Sequence, residues 1–171
     1  MQSINRKRSL AKENNALVNM SSLKLVKHAP GAPGLRLLGL GPCFAPTRGL
    51  FKLKRLLDSH AYWAKNRPYK NLRKLLKGST VVITLWQEKR MVGFGRATSD
   101  EIYRAVLWDI VVADDLQGQG LGRQVVEALL ATASVKEVER IYLMTTNSKD
   151  FYEQIGFKSC SHQHLLIKTS Y

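Results

Sequence analysis

The sequence predicts an α/β domain, in the α+β sense of a mixed, mostly antiparallel central sheet flanked by helices. Three observations predict it. β-branched or alternating runs at residues 81–86, 91–96 and 104–112 follow one another closely, as antiparallel neighbours do. A helix-period stretch at 120–132 then separates the third run from a fourth at 141–145, the order of a parallel crossover. The 171 residues, 44% of them hydrophobic, suit one domain with a proper core.

Taken in order, residues 1–20 read as a solvated basic tail and 21–171 as the single domain. The tail lacks the apolar core of a secretory signal. Arg6, Lys7, Arg8, Ser3 and Ser9 suit a transit peptide, whereas Glu13 does not. A short apolar stretch at 35–40, enclosed by Pro and Gly, is expected to be a first strand. Leu50, Leu53, Leu56 and Leu57 recur at helix spacing, with Lys52, Lys54 and Arg55 on the other face. Pro68 interrupts, and a second helix over 69–77 stops at Gly78. Gln87-Glu88-Lys89-Arg90 joins the next two runs as a hairpin. The 104–112 run is denser in apolar residues and therefore central. After the crossover come a short helix at 148–155, closed by Gly156, and a last strand at 165–168.

Charge is divided unevenly. Residues 1–77 hold seventeen Lys and Arg against Glu13 and Asp58, whereas residues 78–171 hold ten against eleven acids. The basic half suits acidic protein surfaces, nucleic acid or the phosphates of a nucleotide, and it suits equally a solubilising face. No recognised nucleic-acid motif accompanies it, and its cations are not interleaved with aromatics. No apolar run reaches membrane-spanning length. Cys43 and Cys160 are too few for a disulfide framework or a zinc site, which points to a reducing, cytoplasmic compartment, or the plastid stroma if the tail is a transit peptide. His162 and His164 would share one strand face, but no third ligand stands near them, so no metal is expected.

The feature with most chemistry is Gln117-Gly118-Gln119-Gly120-Leu121-Gly122, between a buried strand and a helix. Glycines let successive N–H groups converge, and a helix N-terminus adds partial positive charge, so the turn suits a pyrophosphate. It is not a dinucleotide fingerprint, because the third glycine would fall at Arg123, and it lacks the Gly-Lys-Ser/Thr of a Walker loop. Gln117, Gly120 and Gly122 do fill the pattern Gln/Arg-x-x-Gly-x-Gly/Ala. Trp108-Asp109-Ile110-Val111-Val112 precedes it, and Asn147, then Phe151-Tyr152 and Gly156-Phe157, follow. In this order and spacing the residues resemble the GCN5-related N-acetyltransferase (GNAT) superfamily, and within it the cyanobacterial and plastid branch that includes serotonin N-acetyltransferase.

The resemblance implies a GNAT-like sheet with a splayed cofactor-binding strand, and an acetyl-CoA-dependent enzyme without metal. An amine would attack the thioester directly. The amine is a small arylalkylamine such as serotonin, a protein lysine or a protein N-terminus. The resemblance further implies that Gln117, Gly118, Gln119, Gly120, Leu121, Gly122 and Arg123 hold the pyrophosphate. The backbone of Ile110, Val111 and Val112 would pair with the pantetheine and acetyl carbonyl, and Asn147 would contact the pantetheine or cap the following helix. Tyr152 would protonate the departing thiolate. The base stays open. Val106 stands where histone-type members carry a glutamate, and Trp108 replaces a histidine used by some arylalkylamine members. Asp109 is the nearest acid, with ordered water as its rival. Tyr62, Trp63 and Tyr69 fall where the acceptor is covered. Two other readings stand beside this one: a basic nucleic-acid- or ribosome-associated module, and an acyl-CoA sensor on the same fold. The assembly is expected to be a monomer or homodimer.

Overall fold

The computed structural model describes residues 23–169; the expected 1–20 tail lies outside them. The described residues begin with strand β1 (Leu23–His28) and helix α1 (Pro33–Leu38). Helices α2 (Gly49–His60) and α3 (Tyr69–Lys77) follow. Strands β2 (Val81–Gln87), β3 (Arg90–Ser99) and β4 (Arg104–Val112) come next. Helix α4 (Leu121–Leu130), the short α5 (Ala133–Lys136), strand β5 (Arg140–Tyr142) and helix α6 (Lys149–Glu153) complete the described strands and α-helices. The five strands form one sheet in chain order. All neighbours are antiparallel except β4 and β5, which are parallel.

The expected architecture therefore stands, with corrections at both ends. Residues 35–40 are not a strand. Pro33 starts α1 and Gly39, with φ +63°, caps it, the proline-first, glycine-last punctuation of a helix. A continuous apolar run carries no period of its own, so these flanking residues decide. The first strand is instead Leu23–His28, which pairs with β2 from Leu23↔Gln87 to His28↔Val82. Its sequence, Leu-Lys-Leu-Val-Lys-His, breaks alternation at Val26, and Leu25 is exposed. At the other end, residues 165–168 form no strand, and Leu165, Leu166 and Ile167 are exposed. The face on which His162 and His164 would lie side by side consequently does not form.

The central elements follow their residues closely. Helix α2 buries Leu50, Leu53, Leu56 and Leu57, each fully buried leucine contributing about 1.5–3 kcal/mol of transfer free energy. It packs across β3 and β4, while α4 packs on β2, β3 and β4. Closeness to α4 requires Gly95: a Cβ there would lie 2.7 Å from Val125 Cγ1 and 3.1 Å from Leu129 Cδ1. The core between these layers includes Trp86, Phe94, Leu121 and Leu129. Trp86 donates its indole N–H to Thr84 Oγ1 at 2.8 Å, and His28 Nε2 lies 2.8 Å from the same hydroxyl. This satisfies polar groups that would otherwise be costly to bury.

Two departures inside the sheet shape the molecule. Between β3 and β4 the register steps from Phe94↔Val111 to Arg96↔Trp108, so Asp109 and Ile110 oppose Gly95 alone. That is a β-bulge, and Asp109 has φ +51°. Between β4 and β5 the pairing covers only Arg104↔Arg140 to Val106↔Tyr142. Strand β5 therefore ends at Tyr142, where residues 141–145 were expected to be a strand. Beyond that point β4 and the chain after β5 diverge as a fork.

Candidate active site

The fork opens into a cleft of about 710 Å³. Leu107 to Val112 form one wall, Leu143 to Ser148 the other, and the glycine turn closes one end. The turn is built for a close approach. Gly118 and Gly120 have φ +76° and +79°, and a Cβ on either would meet nothing within 4 Å. Both therefore border open space in a conformation that favours glycine. Gly120 is the N-cap of α4, so the first free N–H groups of a ten-residue helix start here. Gln117 donates its side-chain amide to Val112 O at 3.2 Å and to Asp114 Oδ1 at 3.0 Å. The turn is thereby tied back to the end of β4.

Most sequence-predicted site residues meet around this cleft. Asp109, Ile110, Val111, Val112, Gln117, Gly118, Gly120, Gly122, Arg123, Asn147 and Tyr152 all line it. Gln119 and Leu121 do not. Leu121 is buried in the core, because the first turn of an amphipathic helix must put its apolar side chain inward. Arg123 donates to Gln154 O at 3.3 Å and pairs with Glu127 at 3.5 Å, linking α4 to α6. Asn147 is not the cap of α6; Ser148 occupies that position, with its backbone N–H on Thr145 Oγ1 at 3.1 Å. Tyr152 packs edge-on between Phe151 and Phe157, at 4.9 and 5.9 Å between ring centroids. Burial pushes its phenol pKa upward, so the hydroxyl stays protonated.

Asp109 has a defined environment. Its carboxylate is 6% exposed, Arg67 Nη1 donates to Oδ1 at 3.0 Å, and Arg96 Nε donates to Oδ2 at 2.7 Å. Val106 pairs with Tyr142 at the root of the fork. Tyr62 and Trp63, on a single 3₁₀ turn after α2, line the cleft, and Tyr62 donates across it to Thr146 Oγ1 at 3.3 Å. Tyr69 is not part of the lining.

Several residues escaped the sequence reading. His60 lines the cleft, with Nδ1 3.0 Å from the Asp114 carboxylate and 3.3 Å from its backbone N–H. Arg67 and Arg96 reach Asp109 from 42 and 13 residues away. A local pattern carries no signal for contacts at such separations. Among the described residues no cluster of three or more His, Cys, Asp or Glu has metal-binding geometry, and no helix is long and apolar enough to cross a membrane.

A mixed sheet opened by a parallel fork, with a glycine-rich helix entry at one end, forms a cleft suited to a long ligand with an anionic group. Comparison with known proteins narrows the class. The description "Acetyltransferase (GNAT) domain" matches residues 78–159. The chain is 32% identical over 152 residues to the "Uncharacterized N-acetyltransferase ycf52" of Gracilaria tenuistipitata var. liui, covering 84% of this chain and 81% of that one. The protein of that name from Pyropia yezoensis is 39% identical over 113 residues, covering 63% of this chain. This chain spans 64% of that relative's length. "Serotonin N-acetyltransferase 2, chloroplastic" of Oryza sativa subsp. japonica is 39% identical over 99 residues, covering 53% and 48%. A solved protein of the GNAT family from Xanthomonas campestris pv. campestris shares the fold at TM-score 0.65 and 19% identity, covering 87% of this chain and 93% of that one. The chain belongs to the GNAT family.

Proposed function

We propose that the protein is an acetyl-CoA-dependent N-acetyltransferase in which a primary amine attacks the thioester directly. The observation that carries this reading is the fork. It brings the glycine turn, the length of β4 beyond its pairing with β5, and Tyr152 onto one cleft. Acetyl-CoA supplies the activated acetyl group, and the chain's own residues do the rest. N–H groups from Gln117 to Arg123 hold the pyrophosphate at the start of α4, where helix polarity favours an anion. Open space over Gly118 and Gly120 fits that group; a side chain there would occupy it. The backbone of Ile110, Val111 and Val112 holds the pantetheine and the thioester carbonyl, with donors placed for the charge that develops on oxygen. Asn147 faces the pantetheine arm from the opposite wall.

Tyr152 donates the proton that the departing thiolate needs. A buried phenol suits the task, because its raised pKa keeps the proton available until a stronger base forms beside it. Asp109 is a poor base in this setting, since both carboxylate oxygens already accept from guanidinium groups. Ordered water therefore takes the amine proton. Tyr62, Trp63 and Trp108 around the cleft favour an arylalkylamine acceptor, and the serotonin acetyltransferase named above supports that choice. The chain's net charge of +14 disfavours a polycationic acceptor. The chloroplastic name of the same relative supports the stromal alternative for location.

The test is thiol release from acetyl-CoA against a panel of arylalkylamines and peptides, for the wild type and Tyr152→Phe. The wild type should turn over at least one arylalkylamine. The variant should lose roughly 100-fold in kcat while still binding CoA. A wild type that binds CoA and acetylates nothing would favour an acyl-CoA sensor.

A further inference from the structure

Asp109 stands in the left-handed region at φ +51°, a conformation that residues with a Cβ rarely adopt. The bulge it creates therefore needs support from its surroundings, and the structure provides it on both faces of the sheet. On one face, Val125 and Leu129 of α4 press against Gly95, directly opposite the bulge. On the other, Arg67 and Arg96 grip the two carboxylate oxygens at 3.0 and 2.7 Å. Arg96 also lies over the Trp108 ring at 5.5 Å, and Trp108 donates its indole N–H to Thr98 Oγ1 at 2.8 Å. Arg67 belongs to the link between α2 and α3, the same link that carries Tyr62 and Trp63 into the cleft.

We propose that Arg67 and Arg96 are positioning residues that act through Asp109, holding the β4 bulge at the height where Ile110 to Val112 meet the thioester. Asp109 is the pivot of this clamp. Through Arg67, the clamp also joins the bulge to the aromatic wall on the acceptor side, so the two halves of the site keep one geometry. A planar guanidinium meets a carboxylate with directed hydrogen bonds, which makes the clamp a geometric device as well as a charge pair. The proposal rests on the acetyl-transfer reading.

The experiment uses the full chain and the variants Arg67→Ala, Arg67→Lys and Arg96→Gln, with two readouts. In steady-state kinetics, Arg67→Ala should lower kcat roughly 10- to 100-fold, with the KM for acetyl-CoA changed by no more than about 3-fold. Millimolar ethylguanidinium should restore a large part of that loss, and Arg67→Lys should recover little of it, because an ammonium lacks the planar fork. Arg96→Gln should fall in the same direction. In hydrogen exchange, a peptide spanning 104–113 should exchange faster in Arg67→Ala while peptides from β2 keep the wild-type rate. Unchanged kcat with unchanged exchange at 104–113 overturns the proposal. So does a fall in kcat that guanidinium cannot rescue and that accompanies faster exchange across the whole sheet, because the arginine is then merely structural. If the wild type releases no thiol with any amine, the acetyl-transfer reading fails, and the exchange comparison alone decides whether the clamp holds the bulge.

Discussion

Between β2 and β3, pairing runs from Val81↔Ala97 to Gln87↔Arg90, and Val81 through Trp86 are all buried. Between β4 and β5, pairing stops after Val106↔Tyr142, and Leu107 to Val112 continue along an open cleft. Both regions are made from β-branched and aromatic residues, so composition does not separate them. Their surroundings do. The β2–β3 ladder is covered by helices, and its backbone groups find partners in the next strand. In the fork, backbone groups of β4 face away from any strand on that side. A sheet commonly satisfies such groups by pairing, and here the open side supplies a place for a ligand backbone to do so. On the proposed reading, stability belongs to the ladder and chemistry to the fork.

The sharpest way to break that division is to cut into each region separately. Phe94 is fully buried in the ladder. Phe94→Ala should cost about 3–5 kcal/mol, read as a drop in the urea midpoint. A loss below 1 kcal/mol would mean that the ladder is not where stability lies. Gly120→Val should do the reverse. The substitution forces a β-branched residue to φ +79° and fills space that faces the cleft. Acetyl-CoA binding by calorimetry should weaken by roughly 100-fold, about 2.7 kcal/mol. The unfolding free energy from urea titration should fall by only about 1–2 kcal/mol. Equal losses in both measurements would erase the distinction.

A smaller effect comes from the outer edge of the ladder. Burial pushes the His28 imidazole from 6.5 down to about 4. The unfolded chain then binds more protons than the folded one between those values, so stability must fall as pH drops from 6.5 towards 4 and level off below it. The expected loss from this group is on the order of 3 kcal/mol. His28→Gln should flatten that part of the stability–pH curve, measured by denaturant titration between pH 4 and 7. An unchanged slope would show that other groups govern the acid limb.

How much of this could be read in advance depends on the range of the interaction involved. Leu50, Leu53, Leu56 and Leu57 announce α2 because a helix brings residues three and four apart onto one face. The glycine turn announces one end of the cleft because its conformational demand is local. Leu23–His28 was not legible, since its place depends on β2, nearly sixty residues away, and its own alternation is broken. The stretch at 165–168 misled for the converse reason: an apolar run suggests a strand, but a strand needs a neighbour to pair with.

What the sequence by itself determined, then, is every feature enforced within about ten residues. These are the helix faces, the hairpin between β2 and β3 and the glycine-rich entry to α4; the order of motifs along the chain adds the family. Tertiary structure alone decided where pairing between β4 and β5 ends, which residues brace the bulge, and that Asp109 meets two arginines. Arg67 lies 42 residues from Asp109 in the chain and 3.0 Å from it in space. Hydrogen bonds and ion pairs depend on distance in space, which only the folded chain defines.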